Sequence, residues 1–138
     1  MAPRDTTTGS VLEQMVLPAL KRGGYEYRAQ VKIGTRLGGG RHFVDAIAEK
    51  AGQTWLISMK WQQVGGTAEQ KVPFEVICLA EALSDGTHGG AYLVLGGTGW
   101  TLRDFYVGGG LTKHLANADK VQIVTLEDFV ARANQGQL

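Results

Sequence analysis

The sequence predicts an α/β fold in which helices flank a mixed central sheet. Residues 25–33 and 42–61 alternate apolar and polar side chains, as half-exposed antiparallel strands do. Two short apolar runs, at residues 91–95 and 121–124, are typical of buried strands. The predicted order is helix, three antiparallel strands, helix, strand, crossover, strand, helix, in a chain of 138 residues that suits one domain.

The first predicted helix follows a loose arm of residues 1–8. Its apolar stripe recurs at helical spacing and comprises Leu12, Met15, Val16, Ala19 and Leu20. Ser10 and Glu13 have the spacing of a capping box, and Gly23 favours the end of the helix. Pro18 is expected to kink it, because residue 18 has no N–H to donate to residue 14.

A glycine-rich loop over residues 34–42 follows the first strand. No GK[ST] sequence and no helix come next, which excludes a Walker nucleotide-binding loop. Between residues 21 and 45 there are six basic and two acidic residues, which suits either a phosphate backbone or a solvated strand face. The loop is therefore either a DNA contact or a flexible hairpin connection. The candidate contacts are Arg36, Gly38, Gly39, Gly40, Arg41 and His42, and His42 has packing as its alternative role.

Residues 42–61 are predicted to form a hairpin whose turn lies between Ala51 and Gly52. This turn sets Asp45 opposite Ser58, with Lys60 two residues further along the strand. Side chains two residues apart share a face, so Ser58 and Lys60 point the same way. The hairpin is expected to bring an acid and a lysine together.

Thr67 and Gln70 predict a second capping box, which opens a helix to about Leu83. Its predicted buried stripe comprises Val72, Val76, Leu79, Ala80 and Leu83. Two acids on this helix, Glu69 and Glu75, are either parts of a site or exposed helix residues. Further short helices are expected within residues 101–106 and 111–120, and Thr125 is expected to cap a final helix.

The pattern of Asp45 followed by Ser58, Met59 and Lys60 resembles the core of the PD-(D/E)XK nuclease superfamily. That family has the restriction-endonuclease-like fold with an αβββαβ core, and the predicted element order matches it over residues 10–124. Val44 stands where the family usually has proline, and Ser58 stands where it has the second acid. Some type II restriction enzymes are similar, with S-X-K on the strand and a glutamate supplied by the following helix.

The resemblance implies a divalent metal, Mg²⁺ or Mn²⁺, bound by Asp45, the Met59 carbonyl and one glutamate. Three glutamates are candidates for that role: Glu13, Glu69 and Glu75. Glu13 is similar to the first-helix glutamate of many members, unless it is only a capping residue. Glu75 lies fifteen residues after Lys60, close to the spacing in the S-X-K enzymes.

The resemblance also implies roles for the remaining polar residues. Lys60 would orient the attacking water, and Ser58 would hydrogen-bond a metal-bound water. Gln62 continues the same strand face and could reach the site. Gln70 and Phe74 are similar to the Q-X-X-X-Y element of the RecB-like branch, which adds Gln70 to the candidate DNA contacts.

The expected function is that of a Mg²⁺-dependent endonuclease cleaving double-stranded DNA, of restriction or homing type. The alternatives are a Holliday-junction or other structure-specific nuclease, and a catalytically decayed DNA-binding module, which Ser58 keeps open. Because one chain carries one site, cutting both strands would need a homodimer or homotetramer.

Composition indicates the cellular compartment in which such a protein would act. The chain has 43% hydrophobic residues, no long apolar run and no signal-peptide pattern, so no membrane association is expected. The lone cysteine, Cys78, is expected to be a buried free thiol. A cytoplasmic protein of bacterial, archaeal or phage type is therefore expected.

Overall fold

The computed structural model of the chain describes residues 7–138, so most of the predicted arm lies outside the described residues. A five-stranded sheet has its strands in sequence order, β1 to β5. The first three strands pair antiparallel and the last two join in parallel. The strands are β1 (Glu26–Thr35), β2 (Arg41–Lys50), β3 (Gln53–Trp61), β4 (Gly90–Gly96) and β5 (Val121–Thr125). The predicted α/β fold with a mixed central sheet is confirmed.

Helices cover both faces of the sheet. They are α1 (Thr7–Val11), α2 (Leu17–Arg22), α3 (Ala68–Ala82), α4 (Arg103–Val107) and α5 (Leu126–Asn134). One core cluster joins α2 and α5 to residues of β3 and β4 such as Ile57 and Val94. The other joins α3 and α4 to their neighbours along the same strands, such as Leu56 and Leu93. Adjacent strand residues thus pack in opposite clusters, as the alternation of side chains requires.

The first helix begins earlier than the sequence predicted. Thr7 is already helical, and Ser10 lies inside α1, so the predicted capping box at Ser10 is wrong. A π-helical turn over Leu12–Val16 separates α1 from α2, and the Leu17 N–H donates to the Leu12 carbonyl. Pro18 lies in the first turn of α2, two residues after the end of the π-helical turn. Because a proline cannot donate to the preceding turn, the helix is irregular at the place where the kink was predicted.

The glycine-rich loop is the turn of the β1–β2 hairpin. Pairing continues to Thr35 and Arg41, and the Arg36 N–H donates to the Gly40 carbonyl at 2.6 Å. Gly38 and Gly39 have φ of 95° and 101°, a conformation that favours glycine. Strand β1 is exposed along most of its length, as an edge strand with little covering it.

The β2–β3 hairpin has the predicted turn. Lys50 pairs with Gln53, and the two turn residues, Ala51 and Gly52, have φ of 54° and 80°. Positive φ at both positions is the geometry of the two-residue turn that matches strand twist. The register therefore follows the prediction and runs to the pair Ala46 and Ile57.

The later helices and strands lie where the sequence predicts them, but some of their ends and caps differ from the prediction. Helix α5 is capped as predicted, with the Asp128 N–H donating to the Thr125 hydroxyl at 3.1 Å. The hydroxyl of Thr67 makes no capping bond at the start of α3, so that predicted capping box is wrong. The crossover contains α4 and two 3₁₀ turns, Gly110–Lys113 and Ala118–Lys120, in place of a second short α-helix. Cys78 is buried and free, as predicted.

Candidate active site

Asp45 and Lys60 lie beyond the point where β2 and β3 stop pairing, and the charge of Lys60 acts on the Asp45 carboxylate. Beyond the Ala46–Ile57 pair, Asp45 Oδ2 accepts the Met59 N–H at 2.7 Å. Val44 packs on the α3 side of the sheet, whereas Ala46 packs on the α2 side, so the alternation of β2 is interrupted at Asp45. In a regular antiparallel pair the Met59 N–H would donate to a backbone carbonyl, whereas here it donates to the Asp45 carboxylate.

A cavity of about 370 Å³ opens beside these two residues. Its walls come from β1, β2, β3, α3 and the first helix, and include Gln30, Arg36, Asp45, Ser58, Lys60 and Lys71. Burial raises the pKa of Asp45, while the Met59 N–H and the charge of Lys60 act against it, and the charge of Glu75 adds to the rise. A further positive charge near this carboxylate would therefore stabilise its ionised form.

Glu75 is the acid that α3 brings to this region. It is 2% exposed, and the hydroxyl of Ser58 donates to its Oε1 at 3.0 Å. Arg36 donates to Oε2 at 2.7 Å, and His42 Nε2 lies 3.3 Å from Oε1. Glu75 does not itself line the cavity; it lies directly behind Ser58 and Arg36, which do. Ser58, at the position where the family that the sequence resembles has its second acid, therefore holds an acid from the next helix.

The surroundings of Glu75 keep it ionised. Burial raises its pKa, but the hydrogen bonds from His42 and Arg36 and the charges of Lys60 and Arg36 outweigh burial and bring the pKa to about 2. Asp45 and Glu75 thus shift in opposite directions although Lys60 acts on both. The difference arises because Glu75 has a direct cationic partner.

The other two candidate glutamates lie elsewhere. Glu69 accepts the backbone N–H groups of Thr101 and Leu102, the latter at 3.0 Å, and so fixes the start of α4. Glu13 is exposed on the π-helical turn and does not line the cavity. The first helix reaches the cavity through Thr8 instead.

Gln62 has a structural role rather than a place in the cavity. It is 4% exposed, its Oε1 accepts the Glu69 N–H at 3.3 Å, and its Nε2 donates to the Gly99 carbonyl at 2.8 Å. It therefore caps α3 in place of Thr67. Met59 lines the cavity and presents its N–H to Asp45, while its side chain is buried among the α2-side residues.

The predicted DNA contacts fall into two groups. Gly38, Gly39, Gly40 and Arg41 are exposed around the hairpin turn, and Gln70 is exposed on α3. His42 is 2% exposed and bonded to Glu75, so its packing role is the one the structure supports. Arg36 belongs to neither group, because it lines the cavity and also pairs with a buried acid.

The sequence analysis missed Lys71 and Gln30, which both line the cavity. Lys71 precedes Glu75 by four residues on α3, a spacing that puts both on neighbouring turns of one helix face. That spacing was available as a signal. Gln30 contacts Asp45 across the β1–β2 pair and has φ of 55°, neither of which a strand pattern indicates.

A family model for the PD-(D/E)XK nuclease superfamily domain matches residues 4–137 of the chain. The chain belongs to the PD-(D/E)XK nuclease superfamily. Members of this superfamily are nucleases that generally use divalent metals, so the resemblance read from Asp45 and Lys60 is confirmed at the level of the family.

Structural comparison supports the fold. A crystal structure described as a protein of unknown function, AF1548, aligns with a TM-score of 0.50 at 13% sequence identity. The alignment covers 80% of this chain and 54% of that one, so the chain spans about half of its length. No curated protein matches the chain. Among residues 7–138, no helix is long and apolar enough to cross a membrane.

Proposed function

We propose that the chain is a metal-dependent endonuclease that hydrolyses phosphodiester bonds in double-stranded DNA, of restriction or homing type. The observation that carries this proposal is that Asp45 and Lys60 line one cavity, with Glu75 buried behind its Ser58 and Arg36 wall, in a chain of this superfamily. Two carboxylates can hold a divalent metal, and a lysine can stabilise the negative charge that develops on a phosphate during hydrolysis.

The donor atoms fit a hard cation in type. Carboxylate oxygens suit Mg²⁺ or Mn²⁺, and the hydrogen bond to Met59 occupies only one oxygen of Asp45. Among the described residues, no group of three or more His, Cys, Asp or Glu side chains could hold a metal, so Asp45 and Glu75 would bind it with the Met59 carbonyl. When bound, the cation supplies the positive charge that polarises the phosphate.

Arg36 competes with a cation for Glu75. It donates to Oε2 at 2.7 Å and separates Glu75 from the open part of the cavity. For Glu75 to reach a cation, the Arg36 side chain must turn away. The Arg36 side chain is 27% exposed and therefore borders solvent, into which it can turn.

The other polar groups would act on the phosphate and the water. Lys60 lines the cavity beside Asp45 and would stabilise the negative charge that develops on the phosphate oxygens. Ser58 holds Glu75 through its hydroxyl. Cutting both strands would need a second copy of the chain, since one chain supplies one such site.

A DNA-binding module with a decayed active site is the second candidate function. It is favoured by the contacts of Glu75, because Arg36, His42 and Ser58 together use three of its lone pairs. An acid held this way can be a buried structural ion. The two candidates differ in whether DNA is cleaved.

Nicking of supercoiled plasmid with Mg²⁺ tests the proposal. We expect nicking by wild type and by Lys113→Ala, a change of an exposed lysine that does not line the cavity, and a large loss in Asp45→Asn and Lys60→Met. Equal activity in all four proteins would sink the site. DNA binding without nicking by wild type on plasmid, junction or flap DNA would favour the decayed module.

A further inference from the structure

A second cavity, of about 390 Å³, adjoins the candidate active site. It is lined by Thr7, Lys71 and the segment of residues 61–68. Three residues, Trp61, Ala68 and Lys71, line both cavities. The two cavities therefore meet along one wall, and Lys71 lies where they join.

The second cavity has a fixed wall. The Gln62 N–H donates to the Gly96 carbonyl at 3.0 Å, and the Gly99 N–H donates to the Gln62 carbonyl at 2.8 Å. A Cβ atom at Gly99 would lie 2.5 Å from the backbone of Gln63 and Val64, so the two segments pack backbone to backbone. With these contacts the wall is built before any ligand arrives.

The chemistry of this cavity suits a polyanion. None of the residues that line it is acidic, and its polar groups come from glutamine, threonine and lysine. In residues 7–138 no ion pair involves Lys71, although this lysine is exposed. Val64, which lines the same cavity, is 74% exposed. A lysine without an acidic partner beside a neutral polar groove can neutralise a phosphate.

We propose that this second cavity binds the DNA strand that flanks the scissile phosphate, with Lys71 contacting the neighbouring phosphate. The inference rests on the proposed function, since the strand is that of the same substrate. Trp61 borders both cavities and provides an aromatic surface against which a nucleotide can pack. Lys71 is then a positioning residue, whereas Asp45 would bind the cation and Lys60 would act on the reacting phosphate.

Binding of a fluorescein-labelled duplex, measured by anisotropy over a range of salt concentrations, tests the role of Lys71. Ca²⁺ replaces Mg²⁺, because it takes oxygen ligands as well, and a denaturing gel verifies that the DNA stays intact. We expect Lys71→Gln to reduce the slope of log affinity against log salt by about one. Lys71→Arg and Lys113→Gln are expected to keep the wild-type slope. A wild-type slope in Lys71→Gln would overturn the assignment.

Ultraviolet crosslinking to a duplex containing 5-bromodeoxyuridine locates the strand. Trypsin cuts after Lys60 and Lys71, so the wall of the second cavity is released as the single peptide WQQVGGTAEQK. We expect this peptide to carry crosslinked nucleotide in wild type. Crosslinks confined to other peptides, or no binding of duplex by wild type, would contradict the inference. Neither assay needs cleavage. If wild type binds DNA but does not nick it, the proposed function is refuted, whereas the binding and crosslinking results still hold.

Discussion

Two glutamates on one helix show how differently the same side chain is used. Glu69, in the first turn of α3, accepts two backbone N–H groups from the segment before α4. Glu75, near the middle of the same helix, is buried against a hydroxyl, an arginine and a histidine. Six residues separate them, and at 3.6 residues per turn they lie on different sides of the helix. Position around α3 therefore decides that Glu69 joins two elements while Glu75 faces the sheet.

The largest expected contrast is in activity. Glu75→Gln should reduce plasmid nicking on the order of a hundredfold or more, because one of the two carboxylates that would bind the cation is lost. Glu69→Gln should stay within a few-fold of wild type, since its carboxylate only fixes the start of α4. Initial nicking rates at saturating Mg²⁺ measure both. Equal losses in the two variants would show that the distinction between the glutamates is wrong.

Stability at acidic pH should show how much the ionised form of Glu75 contributes to the fold. The pKa of Glu75 is lowered from 4.5 to about 2, so its ionised form stabilises the fold above pH 4.5 and this contribution is lost as pH falls towards 2. Wild type should lose about 2 kcal/mol more than Glu75→Gln between pH 5 and pH 3. Asp45 acts in the opposite sense, because its raised pKa favours the folded state as pH falls. Urea unfolding at the two pH values measures the difference, and parallel losses would refute it.

Metal affinity should distinguish the two arginines of the β1–β2 turn. Arg36→Gln removes the group that competes for Glu75, so Mn²⁺ should bind about tenfold more tightly, equivalent to ~1.4 kcal/mol. Arg41→Gln is the matched control, because Arg41 lies over the Phe43 ring at 6.0 Å and pairs with no acid among the described residues. Calorimetric titration with Mn²⁺ measures both affinities. Weaker binding by Arg36→Gln would show that Arg36 helps to build the site.

The smallest effect concerns Glu69 and stability. Glu69→Gln weakens the acceptor for the two N–H groups at the start of α4, and should lower the free energy of unfolding by about 1 kcal/mol at pH 7. Gln70→Glu, an exposed change at the next position, serves as the control. Urea unfolding compares the two. If the control lost as much free energy of unfolding as Glu69→Gln, Glu69 would not have the capping role.

Local patterns along the chain were enough to predict the local features of this protein. Alternation, turn residues and helical spacing predicted the order of strands and helices, and the turn at Ala51 and Gly52 fixed the register of β2 and β3. That register placed Asp45 near Lys60, and both line the cavity. These features depend on residues close together along the chain, where backbone preferences and side-chain alternation suffice.

Which side chains contact one another across helices and strands depends on the packing of the whole fold. The packing of α3 against the sheet placed Glu75 against Ser58 and carried Lys71 to the cavity, while Glu69 lies against the start of α4. The β1–β2 hairpin carried Arg36 and His42 to Glu75, and the approach of the segment around Gly99 turned Gln62 into a helix cap. Each of these contacts joins residues far apart in the chain. No pattern within one segment encodes them, because they depend on how whole elements pack.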